Sequence, residues 1–266
     1  MHINLPFLAA GLVLSLTTTN AEAVLTPYTS AGQSLVYSSV SDVTWTGDAN
    51  LLGAMEASSP NLVSTIINAI GSVTDTSNAY DIPANSGSHA LSTADFGANG
   101  RVNWFGAQAF VSYLNTIIYA GSNQWALPTA GANPQLSYNQ TDNQFGQLYY
   151  NELNKLAPSY PGYGGPFGIF GDGRWGTAGP AGPFSNAQSS AYWSVTEVAP
   201  NPSLAWIFFT YDGYLDRYFK NDENLQFFAW AVSPGQVSAV PIPEAVWLMG
   251  SGLLGLLSLK RRGHAG

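Results

Sequence analysis

The chain has 266 residues, no cysteine, 9 % charged and 13 % aromatic residues, and a formal net charge of −8 at pH 7. A disulfide framework and cysteine-based zinc sites are excluded, and the acidic balance argues against nucleic acid and anionic lipid headgroups as partners. With so few charges, solubility falls to Ser, Thr, Asn and Gln, which suggests a polar, uncharged exterior rich in aromatic rings, although for most rings taken singly a core position is the better expectation.

Residues 5–16 form an apolar run, Thr17 to Asn20 are polar, and Ala21-Glu-Ala23 is a small-x-small site. Residues 1–23 therefore read as a signal peptide, removed by signal peptidase before Val24. From Val24 to Val240 about 217 residues remain, enough for one domain. That stretch holds fourteen acidic residues against five basic ones, Arg101, Lys155, Arg174, Arg217 and Lys220.

Three helices are expected in the first part of the domain. Residues 59–71 offer Ser59 as a cap, Pro60 in the first turn, a stripe of Leu62, Val63, Ile66, Ile67 and Ile70, and Gly71 as a stop. Residues 103–119 place Phe105, Ala109, Tyr113 and Ile117 on one face, widened by Phe110, Leu114 and Ile118. Residues 142–156 set Phe145, Leu148, Tyr149, Glu152, Leu153 and Leu156 at helical spacing before Pro158.

Residues 159–186 are rich in Gly and Pro and poor in aliphatics, and read as a long loop. Beyond it, residues 191–196, 204–211, 214–220 and 226–232 read as short strands. Tyr211-Asp-Gly-Tyr214 joins the middle pair as a type I′ hairpin signal. Helices followed by an antiparallel meander predict a single α+β domain over residues 24–236.

Residues 237–266 read differently. Pro243-Glu244-Ala245 precedes an uncharged run over 246–259, and Lys260, Arg261 and Arg262 follow at once. As a helix the run reaches roughly 21 Å, short of a hydrocarbon core of about 30 Å. Its glycines lower helix propensity and permit close approach of another helix. Such a segment suits transient insertion in the inner membrane, with the cations on the cytoplasmic side.

Pro243-Glu244, the run Ala-Val-Trp-Leu-Met-Gly-Ser-Gly-Leu-Leu-Gly-Leu and the closing cations together resemble the PEP-CTERM sorting domain of exopolysaccharide-producing Gram-negative bacteria. The resemblance implies recognition by an exosortase, a membrane-embedded cysteine transpeptidase, and release or transfer to the cell surface or extracellular matrix. Ala245 stands where the namesake motif has a second proline.

A second resemblance runs through most of the mature chain. It is carried by Asp42-Val-Thr-Trp45-Thr-Gly-Asp48-Ala-Asn50, Val102-Asn-Trp104, Gly121-Ser-Asn-Gln-Trp125-Ala-Leu-Pro128-Thr129 and Gly182-Pro-Phe-Ser-Asn. Tyr192-Trp193-Ser-Val-Thr-Glu197, Ala205-Trp206 and Phe228-Ala-Trp230-Ala-Val-Ser-Pro-Gly235 complete it. These motifs resemble the Lcl C-terminal domain, also called DUF1566. The resemblance implies a C-type-lectin-like, formylglycine-enzyme-like fold, with glycan or glycosaminoglycan binding in some members. Ala126 and Ser233 stand where that family usually carries arginine. If those arginines pair with anionic sugars, this chain prefers neutral glycans or none; if they pair with buried carboxylates, partners were lost together.

Catalytic chemistry has little to draw on. His89 is the only imidazole between Val24 and Val240, it reads as a surface-loop residue, and no nucleophile-elbow pattern accompanies any serine. Glu152 and Glu197 are the carboxylates nearest the motifs, which keeps a carboxylate-dependent, carbohydrate-active hydrolase as an alternative. Glu197 reads more simply as an acceptor of backbone N–H groups. No cofactor is expected, with calcium a minor candidate at Asn139, Asp142 and Asn143 or at Asn221, Asp222, Glu223 and Asn224. The leading expectation is a non-enzymatic, exported surface or matrix protein touching exopolysaccharide or another surface partner. A purely structural matrix component is the remaining alternative.

Overall fold

The computed structural model describes residues 24–157, 178–222 and 225–238. Ala21 and Ala23, the sorting motif Pro243, Glu244 and Ala245, the apolar run and Lys260, Arg261 and Arg262 lie outside the described residues. Among the described residues, no helix is long and apolar enough to cross a membrane.

The chain opens with strands that its alternation does not announce: β1 (Leu25–Ser30), β2 (Gln33–Ser38) and β3 (Val43–Thr46). The β1–β2 turn needs two residues at positive φ, Ala31 at 49° and Gly32 at 78°. Helix α1 (Leu51–Ser58) follows, capped by the Asn50 side chain, which accepts from Gly53 N. It too went unread in the sequence. Ser59 closes α1 instead of starting the next helix, and α2 (Leu62–Ile70) begins after Asn61. Gly71, at φ 72°, ends α2 as expected, and Leu62 and Ile66 bury the predicted stripe.

A small hairpin, β4 (Ser72–Thr74) with β5 (Ser88–Ala90), and strand β6 (Arg101–Val102) lead to α3 (Trp104–Thr116). Asn103 caps α3 by accepting from Gly106 N at 2.9 Å. Phe105, Ala109, Phe110 and Leu114 are buried as the spacing predicts. The helix stops early: Ile117 is its cap, and Ile118 turns to φ 50° and lies exposed. The third expected helix is shorter and wider than its pattern. A single turn α4 (Gln144–Gly146), capped by Asn143, passes into a π-helical turn (Gln147–Glu152), and Asn154 at φ 54° prevents continuation.

The end of the expected long loop forms a hairpin that runs two residues beyond it, of β7 (Ala178–Ala181) and β8 (Phe184–Gln188). Then come β9 (Ala191–Glu197), β10 (Leu204–Phe209) and β11 (Leu215–Phe219), an antiparallel meander close to the predicted bounds. The β10–β11 turn is not type I′, because only Gly213 has positive φ. It is a wider turn in which Gly213 N donates to Phe209 O at 2.8 Å and Tyr214 N to the Asp212 carboxylate at 3.0 Å. The last expected strand splits into β12 (Phe227–Phe228) and β13 (Val232–Pro234), with Ala229–Ala231 crossing between two sheets.

One sheet has the order β1-β2-β3-β13 and the other β11-β10-β9-β12-β6, where β12 runs parallel to β9. The fold is mixed α+β, richer in strands than its sequence pattern predicts. The five-stranded sheet is covered on both faces, so its strands read as continuous apolar runs. Alternate residues feed two cores. Trp193, Ala205, Ile207 and Phe227 meet α2 and α3 on one side. Tyr192, Trp206, Phe208 and Phe228 meet Trp45, Phe145, Phe184 and Trp230 on the other.

Candidate functional site

The motif rings lie in the core, as expected for most rings taken singly, and they do not supply the aromatic-rich exterior that low charge suggests. Trp45, Tyr192, Trp193 and Trp230 are fully buried, Trp104, Trp125 and Trp206 nearly so, and Pro128 is buried with them. Their polar atoms face inward: Trp104 Nε1 donates to Ser194 O, Trp193 Nε1 to Val102 O and Trp230 Nε1 to Thr46 O, at 2.9 to 3.0 Å. These motif tryptophans pack and brace the sheets, and present no stacking platform to a sugar. The apolar face on each side of the central sheet absorbs them.

The two motif carboxylates have different fates. Asp48 is half-buried beside the surface, where its Oδ1 accepts from Asn50 N at 2.8 Å and its Oδ2 from Asn186 Nδ2 at 2.7 Å. It joins the β3–α1 connection to β8. Glu197, at the end of β9, accepts from Thr76 N at 3.1 Å and from Lys220 Nζ at 2.6 Å.

Lys220 organises a polar cluster that the sequence reading missed. It follows β11 and has a fully buried side chain, with Nζ 2.6 Å from both Asp75 Oδ2 and Glu197 Oε1 and 4.2 Å from the Trp104 ring centre. Its backbone carbonyl accepts from Trp104 N, so the same residue braces the start of α3. Asn78 Nδ2 bridges Asp75 Oδ2 at 2.8 Å and Asp81 Oδ1 at 2.9 Å. Burial pushes the Asp75 carboxyl above its ordinary range despite the Lys220 ammonium. Burial also acts to raise Glu197 and Asp81, yet Lys220 and Thr76 for the first, and the N–H groups of Asn78 and Gly87 for the second, hold both below the usual range.

His89 is not on a surface loop. It lies on β5, is buried, and stacks on Phe105 at 3.8 Å. Nδ1 meets the Tyr80 carbonyl at 2.7 Å and Nε2 the Asp95 carboxylate at 2.9 Å. Two acceptors call for two N–H donors, the imidazolium form. Burial opposes that charge, but the Asp95 and Tyr80 contacts win and raise His89 above its ordinary 6.5. Burial likewise opposes the Asp95 charge, but His89, Ser92 N and Asn103 hold that carboxyl below 3.8. Neither ring nitrogen is free to deprotonate a serine.

The sign of the pH dependence follows. A raised His89 stabilises fully below pH 6.5 and loses its contribution as pH rises through the folded value, while a lowered Asp95 stabilises fully above pH 3.8 and loses its contribution on acidification. Asp95→Asn should therefore cost about 2–4 kcal/mol between those limits and less on either side. Urea midpoints measured from pH 3 to 9 check this, and a loss independent of pH would contradict the ion pair.

Glu152 sits on the π-helical turn, where burial pushes its carboxyl up, offset in part by Ser38 and Val40. Those neighbours are not shared with Glu197, so the two acids nearest the motifs occupy separate surroundings. Of the oxygen-rich clusters, Asn143 is spent on capping α4 and Asn221 on accepting from Asn103 at 2.7 Å. Glu223 and Asn224 lie outside the described residues. Among the described residues, no group of three or more His, Cys, Asp or Glu is arranged around a metal-sized space.

Ala126 and Ser233 are brought together. Ala126 and Val232 exchange backbone hydrogen bonds at 2.8 and 2.9 Å, and the Ser233 hydroxyl meets that of Ser122 at 2.8 Å. The two positions thus lie close together, on adjacent backbone segments. A shallow groove of about 380 Å³, lined by Ala54, Met55, Ser58, Ser59, Leu62 and Tyr113, lies between α1, α2 and α3. Comparison with family models, curated proteins and solved structures gives no match.

Proposed function

We propose that the chain is an exported, non-enzymatic surface or matrix protein, released from the inner membrane of a Gram-negative bacterium by exosortase cleavage of its tail. The observation that carries this reading is the tail itself: a Pro-Glu element, an uncharged run too short to span comfortably, and three consecutive cations. The signal-like first 23 residues support export. The closed Lys220 and His89 clusters support a domain stabilised by internal polar pairs in the absence of disulfides.

Contact with exopolysaccharide then falls to polar surface groups, because the motif tryptophans are buried. Asp48 and the exposed Asn186 supply an adjacent carboxylate and amide on the open side of β8. Mass spectrometry of the cell-surface form tests processing: loss of the tail from near Pro243 onward is expected, and an intact Lys260-Arg261-Arg262 end would overturn it. A glycan array with the 24–238 domain tests contact. Binding weakened several-fold by Asp48→Ala is expected. Flat signals favour the purely structural matrix component, the reading that the buried tryptophans also support.

A further inference from the structure

The Lys220 cluster brings together an amine, a carboxyl group and a base. Lys220 Nζ lies 2.6 Å from Asp75 Oδ2 and 2.6 Å from Glu197 Oε1; the side chains of Lys220 and Asp75 are fully buried, and that of Glu197 is 23 % exposed. The ring centres of Trp104 and Phe105 are 4.2 and 5.9 Å from the same nitrogen. Asn78 Nδ2 donates to Asp75 Oδ2 at 2.8 Å. The other oxygen, Asp75 Oδ1, is buried and has no hydrogen-bond donor among the described residues.

Charge is out of balance in this cluster. One ammonium faces Asp75 and Glu197 directly and Asp81 through Asn78, while the neighbouring His89 is matched by Asp95. A proton on one acid removes the excess. Burial pushes the Asp75 carboxyl up, whereas Asp81 and Glu197 are held low, so Asp75 is the acid that takes it. Asp75 and Asp81 are hydrogen-bonded to each other, which two bare carboxylates could not be. A neutral carboxyl is also the form open to an amine, because a carboxylate repels the attacking lone pair.

We infer that Lys220 Nζ condenses with Asp75 Cγ to an internal amide cross-link, with Glu197 as the base. The ammonium first gives a proton to Glu197 Oε1, which is ionised and within hydrogen-bond reach. In a largely dry site this transfer costs less than in water, because the ionised pair has lost its hydration. Asp75 Cγ is one C–O bond beyond Oδ2, within about 4 Å of Nζ, and has only to close to the near-attack range of about 3–3.5 Å. Addition places negative charge on Oδ2, where Asn78 Nδ2 already donates. Nζ sheds two protons in all. Glu197 delivers one to Oδ1, which leaves as water with the proton it already bears, and passes the other to solvent at its exposed edge, ending as a carboxylate. The product is one amide, one water and one released proton, with no oxidant required.

The bond would join the residue after β4 to the residue after β11, 145 positions apart. It would restrict the unfolded chain as a disulfide does, in a protein without cysteine. Molecules in which the bond is still open keep the ion pair. None of this depends on how the two ends of the chain are read.

Trypsin digestion of the denatured full chain, followed by mass spectrometry, tests the bond. A linked Lys220 resists trypsin, so the peptide ending at Arg101 is expected joined to one that begins at Tyr218 and continues past Lys220. The joined species should be lighter than its parts by one water, with fragment ions placing the link between Asp75 and Lys220. Separate peptides with cleavage after Lys220, from protein that melts cooperatively, overturn the bond. Water lost within a single peptide, the mark of a cyclic imide, overturns it too. Lys220→Arg keeps the charge without the nucleophile and should give no joined peptide; a joined peptide there would place the link elsewhere. Glu197→Gln should lower the joined fraction at a fixed early time about a hundredfold, and an undiminished fraction would overturn the role of Glu197 as base.

Discussion

Lys220→Met is expected to destabilise the domain by about 3–5 kcal/mol at pH 7, because it leaves the fully buried Asp75 carboxylate and the partly exposed Glu197 beside it without their counter-charge. The side chains of Lys220 and Asp75 are fully buried, and both Asp75 and Glu197 lie 2.6 Å from the ammonium. Methionine keeps most of the volume over the Trp104 ring, so a cavity explains little of the loss. For a domain of this size the change corresponds to a Tm lower by roughly 10 °C. The unpaired acids can bind protons in the folded state, and their folded pKa values then exceed the unfolded ones. Such groups favour folding at low pH, so the loss should shrink on acidification from pH 7 to 4. A combined Lys220→Met, Asp75→Asn, Glu197→Gln variant should recover more than half of the stability, as neutral groups replace stranded charges. Thermal melts across that pH range test all three statements; a loss below 1 kcal/mol would mean that water reaches the cluster.

That cluster shows why part of the molecule was hidden in the sequence. Asp75 and Lys220 are 145 positions apart, and a lysine after the strand Leu215–Phe219 reads as a solvated end. The lysine and Asp75 become buried where the segment after β4 meets the ends of β9 and β11. His89 was misplaced for the same reason: Ser-Gly-Ser-His looks like loop, and its partner Asp95 belongs to a 3₁₀ turn that no periodicity marks. Local signals served better. Gly71 ends α2, and the apolar runs of β9 and β10 locate the central strands, because each depends on neighbours in sequence. Alternation failed for β1 to β3, whose four-residue β3 is buried throughout. It also failed for the split of β12 from β13, where one apolar run crosses between sheets.

The crossing residue makes the largest packing prediction. Trp230→Ala is expected to cost about 3–5 kcal/mol, enough to place the midpoint of urea unfolding well below that of the parent. Trp230 is fully buried, with ring centres 5.0 Å from Trp45, 4.8 Å from Phe184 and 5.4 Å from Tyr192. Its partners come from β3, β8 and β9, so one ring ties both sheets and the β7–β8 hairpin into the second core. Its indole N–H also satisfies the Thr46 carbonyl. Trp230→Phe should keep most of the edge-to-face contacts and lose that donor, costing about 1–3 kcal/mol. The gap between the two variants separates ring packing from the hydrogen bond, and equal losses would assign the whole effect to the buried carbonyl. A surface tryptophan that stacked on sugar would show neither loss, so the same measurement decides whether this motif position serves the fold or a ligand.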